Sequence, residues 1–322
     1  MHIVDQLKEK AKAIQARIVL PEGDDPRVQE AARQLVGIVR PILIARPDQL
    51  LEPMPDGVTV IDPNDDANSA EFAQPYYELR KHKGVTIEQA AKAVTDPIVL
   101  GAMMVKTGSA EGCVAGATHA TRDVLRAALQ IIGVAPGFNI VSSTFLMILP
   151  DGRPLTYGDC GMVPNPNAEQ LSEIAIASAN TFQQLTGQTP AVAMLSFSTK
   201  GSASHPDVTK VVDATALAQA AAPDIAIDGE LQFDAALLSS IGSRKAPDSQ
   251  VAGQANVFIF PTLDAGNIAY KITERLGNAQ AIGPIIQGLA KPMHDLSRGC
   301  KAEDIAVLSM ISAIQSGEVA SE

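Results

Sequence analysis

The sequence predicts an α/β fold built as two doubly wound domains with mainly parallel sheets. Short β-branched runs alternate with segments of helical periodicity along the whole chain. The chemistry-bearing polar clusters fall directly after those runs, where parallel sheets carry their ligands. The length of 322 residues suits two domains rather than one. Aromatics make up only 4% and Trp is absent, so the interior is Ala/Ile/Val/Leu-rich and the stacking platforms of a nucleic-acid binder are missing.

In chain order, Met1 to Lys10 reads as a charged amphipathic helix rather than a signal peptide. Arg17–Leu20 is a strand running into Pro21-Glu22-Gly23, and the next helix carries Val28, Ala31, Ala32 and Leu35 on one face. Pro41–Ala45 and Val58–Ile61 are strands. Ser69–Lys83 is a helix that Gly84 terminates, with Glu78-Leu-Arg-Lys-His-Lys83 in its last turn. Thr86–Val94 and Asp96–Thr107 are helices, and Gly112–Gly116 is a buried strand. Ala117-Thr-His-Ala-Thr121 then opens the helix Arg122–Ile132, a shape able to hold an anion at a helix mouth, with Arg122 and Arg126 at i and i+4.

The pattern restarts near Asn139 with a strand to Leu149, a turn-rich insert Pro150–Pro154 and a helix Ala168–Leu185. Strand Val192–Ser196 leads to Ser198-Thr-Lys-Gly-Ser202, whose composition suits an anion loop and a solvated loop equally. Helix Val208–Ala221 and strands Ile225–Asp228 and Asn256–Phe260 follow, then a helix from Leu263. That restart marks a domain boundary near residue 139.

A net charge of -11 excludes general phosphate-backbone binding, so a polyanionic ligand requires a local Arg/Lys cluster. Three dispersed cysteines without a CxxC pair fit a reducing cytosol, and no apolar run approaches the ~20 residues of a membrane span; a cytoplasmic protein without membrane partners is expected. Neither GxGxxG nor GxxxxGK[ST] occurs, and the histidines lack metal-ligand spacing, so no metal site is expected. The richest stretch is Gly288–Asp304, which gathers Ser297, Arg298, three carboxylates and two lysines before an apolar helical pattern. Asp304 falls in the first turn of that helix, where backbone N–H groups favour an anion and a carboxylate commonly serves as a cap.

Pro292-Met-His-Asp-Leu-Ser-Arg-Gly-Cys300 with Asp304 resembles the C-terminal motif of the phosphate acetyl/butyryltransferase family. Tyr77–Gly84, Ile227–Ala235, Lys245-Ala-Pro247, Val251–Pro261 and Gly266–Lys271 continue the resemblance, which runs from Leu20-Pro-Glu22 to the last helix and matches the short form of the family. The resemblance implies a fold like that of the isocitrate and isopropylmalate dehydrogenases, with an interdomain active site and a homodimer. It places residues 1–139 plus 287–322 in the first domain and 140–286 in the second.

The implied activity is reversible acetyl transfer between acetyl phosphate and CoA through a ternary complex, with a larger acyl group such as butyryl as the alternative. Ser297, Arg298 and Asp304 match the family's catalytic positions, Asp304 as proton acceptor. Arg80 and Arg126 match its anion-holding positions. CoA, acetyl phosphate and phosphate are the implied partners, with no tightly bound cofactor. Two other readings compete. A decarboxylating dehydrogenase of the related fold requires a metal carboxylate set and nicotinamide binding, and a non-catalytic acyl-phosphate or CoA sensor has no need of Ser297, Arg298 and Asp304 together.

Overall fold

The structure is a computed structural model that describes residues 3–317. Met1 and His2 of the expected first helix lie outside the described residues. The described chain divides into two compact units, one of Ile3–Pro136 with residues 289–317, the other of Gly137–Gly288.

The first unit begins with α1 (Ile3–Ile14), β1 (Arg17–Leu20), α2 (Pro26–Gln34), β2 (Arg40–Ile44) and β3 (Thr59–Ile61). It continues with α3 (Asp66–Arg80), α4 (Ile87–Ala93), α5 (Pro97–Thr107), β4 (Gly112–Ala115) and α6 (Thr121–Ala127), which ends in a wider π turn over Ala128–Ile132. Local chemistry sets these boundaries. Asp25 caps α2 by accepting from Arg27 N, with Pro26 in the first turn. Asp96 caps α5 through the N–H groups of Ile98 and Val99, with Pro97 likewise placed. Past α3, Lys81–Lys83 form one 3₁₀ turn stopped by Gly84 at φ 82°.

The second unit holds β5 (Ser142–Ile148), β6 (Pro154–Gly158), α7 (Ala168–Thr186), β7 (Ala191–Leu195), α8 (Pro206–Ala221) and β8 (Ala226–Leu231). Then come α9 (Phe233–Leu237), α10 (Ser239–Lys245), β9 (Val257–Ile259), α11 (Leu263–Arg275) and β10 (Gln280–Gln287). The chain returns to the first unit for β11 (Met293–Asp295) and α12 (Ala302–Ser316).

The first unit's sheet has the order β11-β4-β1-β2-β3 and is parallel throughout. In the second, β10-β5-β6-β9-β7-β8, the last four strands are parallel and β10 and β5 run antiparallel to their neighbours. This is a mainly parallel α/β architecture of two sheets. Helix α5 is buried on nearly every side, and α12 buries an unbroken run from Ile305 to Ile314. Each large aliphatic side chain so buried stabilises by about 1.5–3 kcal/mol. Gly112 is required on β4 because Ser312 of α12 stands where its Cβ would be. In the second unit Tyr157, Phe258 and Phe260 form an aromatic centre, and Phe145 stacks on Tyr270 at 4.1 Å.

Three strands were not expected from the sequence. β6 opens on Pro154 and reads as a turn. β10 contains Gly283-Pro284, and its register shifts across that pair. β11 spans only three residues in a polar stretch, yet it is the sheet's edge and sets the direction of everything after it.

Candidate active site

In the first unit β11, β4 and β1 are parallel neighbours, with Ala115 opposite Asp295 and Cys113 opposite Val19. Their C-terminal ends therefore lie together, the position at which α/β sheets present binding residues. Beyond β1 stands Glu22, only 1% exposed. Its Oε2 accepts from Gly116 N (2.9 Å) and Ala117 N (2.7 Å). Its Oε1 accepts from Thr118 N (2.9 Å), Thr118 Oγ1 (3.0 Å), His119 N (2.8 Å) and His119 Nδ1 (2.8 Å). Burial works against the charge, but the backbone N–H groups of His119, Thr118 and Ala117 and the imidazole outweigh it. The carboxyl is held below its ordinary range.

Gly116 makes this loop possible. Its φ is +106°, and a Cβ there would meet the Asp295 carboxylate and approach Leu296 N to 2.6 Å. Asp295 itself is 4% exposed and its Oδ1 has no partner among the described residues. Burial pushes this carboxyl up to about 6; a hydrogen bond with Thr121 opposes the rise and the Glu22 charge adds to it.

After Leu296 N bonds Ala115 O (2.7 Å), the chain turns outward. Cys300 N donates to Ser297 O (2.9 Å) and Gly299 N to Ser297 Oγ (3.3 Å), which leaves Ser297, Arg298 and Gly299 exposed at the tip. Arg27 braces this turn. Its Nη1 donates to Arg298 O (2.8 Å) and Cys300 O (3.0 Å), its Nη2 to Ala117 O (3.0 Å) and Asp25 Oδ2 (2.7 Å). One guanidinium thus joins the Ser297–Cys300 turn to the loop that Glu22 organises. At the start of α12 Asp304 Oδ2 accepts from Lys301 N (2.9 Å), a capping contact that leaves Oδ1 without a hydrogen bond from the described residues.

The sequence model of the family described as "Phosphate acetyl/butaryl transferase" matches residues 2–313. The chain belongs to this family. It is 48% identical to the phosphate acetyltransferase of Acetivibrio thermocellus, with 98% of each chain covered. The solved phosphotransacetylase of Streptococcus pyogenes superposes with a TM-score of 0.93 at 45% identity, again over 98% of both chains. A 4-hydroxythreonine-4-phosphate dehydrogenase from Klebsiella pneumoniae, 11% identical, shares the fold at a TM-score of 0.55 over 93% of this chain and 99% of that one.

Among the positions matching the family's motifs, Ser297, Arg298 and Asp304 lie on one exposed turn and the helix mouth after it. No carboxylate pairs with the Arg298 guanidinium among the described residues. Arg80, at the end of α3, is half-buried and likewise has no such partner, and its buried Nε makes no hydrogen bond among them. Arg126 on α6 is exposed and shares Asp123 (3.1 Å) with Arg122 (3.6 Å).

Sequence reasoning missed the supporting groups Glu22, Arg27 and Asp295, because each acts through loops distant along the chain. The sequence allows an anion at the mouth of the helix that follows Ala117–Thr121; the N–H groups of Gly116, Ala117, Thr118 and His119, which precede α6, are instead taken by the chain's own Glu22. The loop Ser198–Ser202 repeats this in the second unit: Ser198 Oγ and Gly201 N each donate to buried Glu230 at 2.8 Å. An open cavity of about 610 Å³ beside β8 includes Lys200 and Lys245, but both are engaged, with Asp228 and with Gln232. No cluster of His, Cys, Asp and Glu able to hold a metal occurs among the described residues, and no described helix is long and apolar enough to cross a membrane.

Proposed function

We propose that the chain is a phosphate acetyltransferase that moves an acetyl group reversibly between acetyl phosphate and CoA. The observation that carries this reading is the end-to-end 48% identity with the A. thermocellus phosphate acetyltransferase. Arg298 and Arg80, which have no carboxylate partner among the described residues, give it a physical basis, since both substrates are polyanions and the chain carries a net charge of -11.

The reaction needs a thiolate, a donor for the developing oxyanion and cations for phosphate. A free thiol titrates near 8.5, roughly 4.6 units above a free aspartate side chain, so proton transfer between the two in water is uphill by about 6 kcal/mol. Arg298 narrows that gap by stabilising the thiolate as it forms, while Asp304 Oδ1 takes the proton and Oδ2 stays anchored on Lys301 N. Ser297 Oγ–H donates to the carbonyl oxygen as negative charge develops there, a contribution of about 3 kcal/mol when well aimed. Arg80 and Arg126 hold phosphate groups of the acyl phosphate and of CoA, for which the planar guanidinium fork is suited. CoA enters and leaves as substrate.

The chain also forms a homodimer in this proposal. Ile268, Ile272 and Leu276, spaced four apart on and just after α11, are 57%, 53% and 80% exposed. Such a stripe favours burial against a second copy.

Thioester formation from CoA and acetyl phosphate by the purified protein tests the activity. The expected result is turnover with acetyl phosphate that exceeds turnover with butyryl phosphate at saturating CoA. Preference for butyryl phosphate selects the larger-acyl alternative, and inactivity with both refutes the reading.

A further inference from the structure

The mechanism above accounts for the thiol proton and leaves the phosphate without one. Acetyl phosphate dianion and CoA thiol give acetyl-CoA and hydrogen phosphate. When the tetrahedral intermediate collapses, the C–O bond to phosphate breaks and its electron pair goes to the phosphate oxygen. Departure as the bare trianion is difficult, because hydrogen phosphate is a far weaker acid than a thiol. Arginines neutralise this charge but do not release a proton. The step calls for a general acid near the arginines and the Ser297 turn.

The strand ends that carry Ser297 also carry one imidazole mounted for such work. Glu22 is an ionised, buried carboxylate and can only accept, so the 2.8 Å contact requires His119 Nδ1 to be the donor. Nε2 is then the atom that exchanges a proton, and it makes no hydrogen bond among the described residues. The backbone N–H of His119 binds the same carboxylate at 2.8 Å, so ring and main chain are referenced to one anchor. The side chain is 35% exposed, so the ring is held without being sealed off. Arg27 links the loop before it, through Ala117 O, to Arg298 O and Cys300 O of the catalytic turn. The other described histidines do not offer this: His294 is fully buried in β11, His205 is in the second unit, and His82 lies in the exposed turn after α3.

Resting on the acetyltransferase reading, we infer that His119 is the acid–base group for phosphate and that Glu22 is its positioning residue. In acetyl-CoA formation the S–C bond forms as Asp304 takes the thiol proton. As the intermediate collapses, the carbonyl re-forms, the C–O bond breaks, and His119 imidazolium gives its Nε2 proton to the departing phosphate. His119 ends neutral and Asp304 protonated, and exchange with solvent resets both. In the reverse direction neutral His119 takes the proton of hydrogen phosphate as it attacks the thioester.

The test is His119→Asn, whose amide N–H can still reach Glu22 while nothing stands in for Nε2. Turnover of acetyl phosphate falls by roughly 10²–10⁴-fold, with KM for CoA changed only a few-fold and thermal unfolding close to that of the parent. Acetyl methyl phosphate releases methyl phosphate, which departs without a proton; with it the loss shrinks to a few-fold. Equal losses on both substrates, or unchanged turnover of acetyl phosphate, overturn the assignment. Should the parent refuse the methyl ester, His119→Gly with added imidazole decides: recovery in proportion to imidazole supports it and no recovery overturns it. A parent inactive toward acetyl phosphate refutes the activity itself, and is distinguishable from either outcome.

Discussion

Replacing Glu22 by Gln removes one charge and one acceptor from the most densely bonded carboxylate of the first unit. An amide has a single oxygen. If it takes the Oε1 side it keeps the four donors of Thr118 and His119, and its NH₂ then faces Gly116 N and Ala117 N, which sit 2.9 and 2.7 Å from the present Oε2. Two donors lose a charged acceptor worth about 1.5–3 kcal/mol each, so the loop is destabilised by about 3–6 kcal/mol. Hydrogen exchange reads this directly at the amides of Gly116 and Ala117. At about 1.4 kcal/mol per decade, their protection falls by roughly two to four orders of magnitude. The effect also has a pH sign. The folded-state pKa of Glu22 is depressed, so its contribution is present above the ordinary carboxyl range and is lost as pH falls through the folded value. The parent therefore loses protection on acidification along a limb that Glu22→Gln lacks. A protection loss below about tenfold at neutral pH would show that the loop holds itself without Glu22 and would refute the reasoning.

Asp295→Asn has the opposite sign. The carboxyl is raised from about 3.9 when unfolded to about 6, so its stabilising protonated state is fully present below the lower value and lost as pH rises through the upper. The Asn variant therefore gains on the parent above pH 6, by as much as about 3 kcal/mol, in calorimetric scans across pH; an unchanged difference from acid to neutral pH would contradict this. Gly116→Ala must place a methyl against Asp295 and the Leu296 backbone at positive φ, and melting should register about 2–4 kcal/mol of destabilisation. Asp304→Asn separates cap from chemistry: Asn still accepts from Lys301 N, so stability changes by less than about 1 kcal/mol, whereas turnover falls at least ~10²-fold.

Local patterns in the sequence carried most helices and most strands, because their periodicity and caps are written within a few residues; the short α9 and α10 were not expected. Thr86 and Asp96 cap the helices they precede, and Gly84 ends the turn after α3. The strands that escaped are those whose pairing, not composition, makes them strands. β11 is three residues held by register with β4, and β10 joins β5 across a Gly-Pro step. The same division applies to the site. Ser297, Arg298 and Asp304 sit in one contiguous motif and are legible together. Glu22 meets His119 across 97 positions, and Arg27 meets Cys300 across 273. Periodicity and spacing contain no trace of contacts at that range.

The buried carboxylates also bear on the proposed assignment of phosphate recognition to side chains. Loops after parallel strands present N–H groups that can cradle an anion. Here those donors are occupied from inside: Glu22 takes the N–H groups of Gly116 through His119, and Glu230 takes Gly201 N with the Ser198 hydroxyl. Asp159 does the same beyond β6, accepting from the N–H groups of Ser143, Gly161 and Val163. A phosphate entering at these loops would have to displace a carboxylate and leave it buried without its donors, at a cost above that of losing any single hydrogen bond. Each loop is thereby fixed in shape before substrate arrives, but closed to external anions. Of the three arginines that the proposed function assigns to phosphate or thiolate, Arg298 and Arg80 have no carboxylate partner among the described residues, and Arg126 is available once it gives up its exposed contact with Asp123. Exposed pairs of that kind are worth about 1 kcal/mol or less, so a phosphate dianion can displace Asp123 from Arg126 far more readily than Glu22 from its nest.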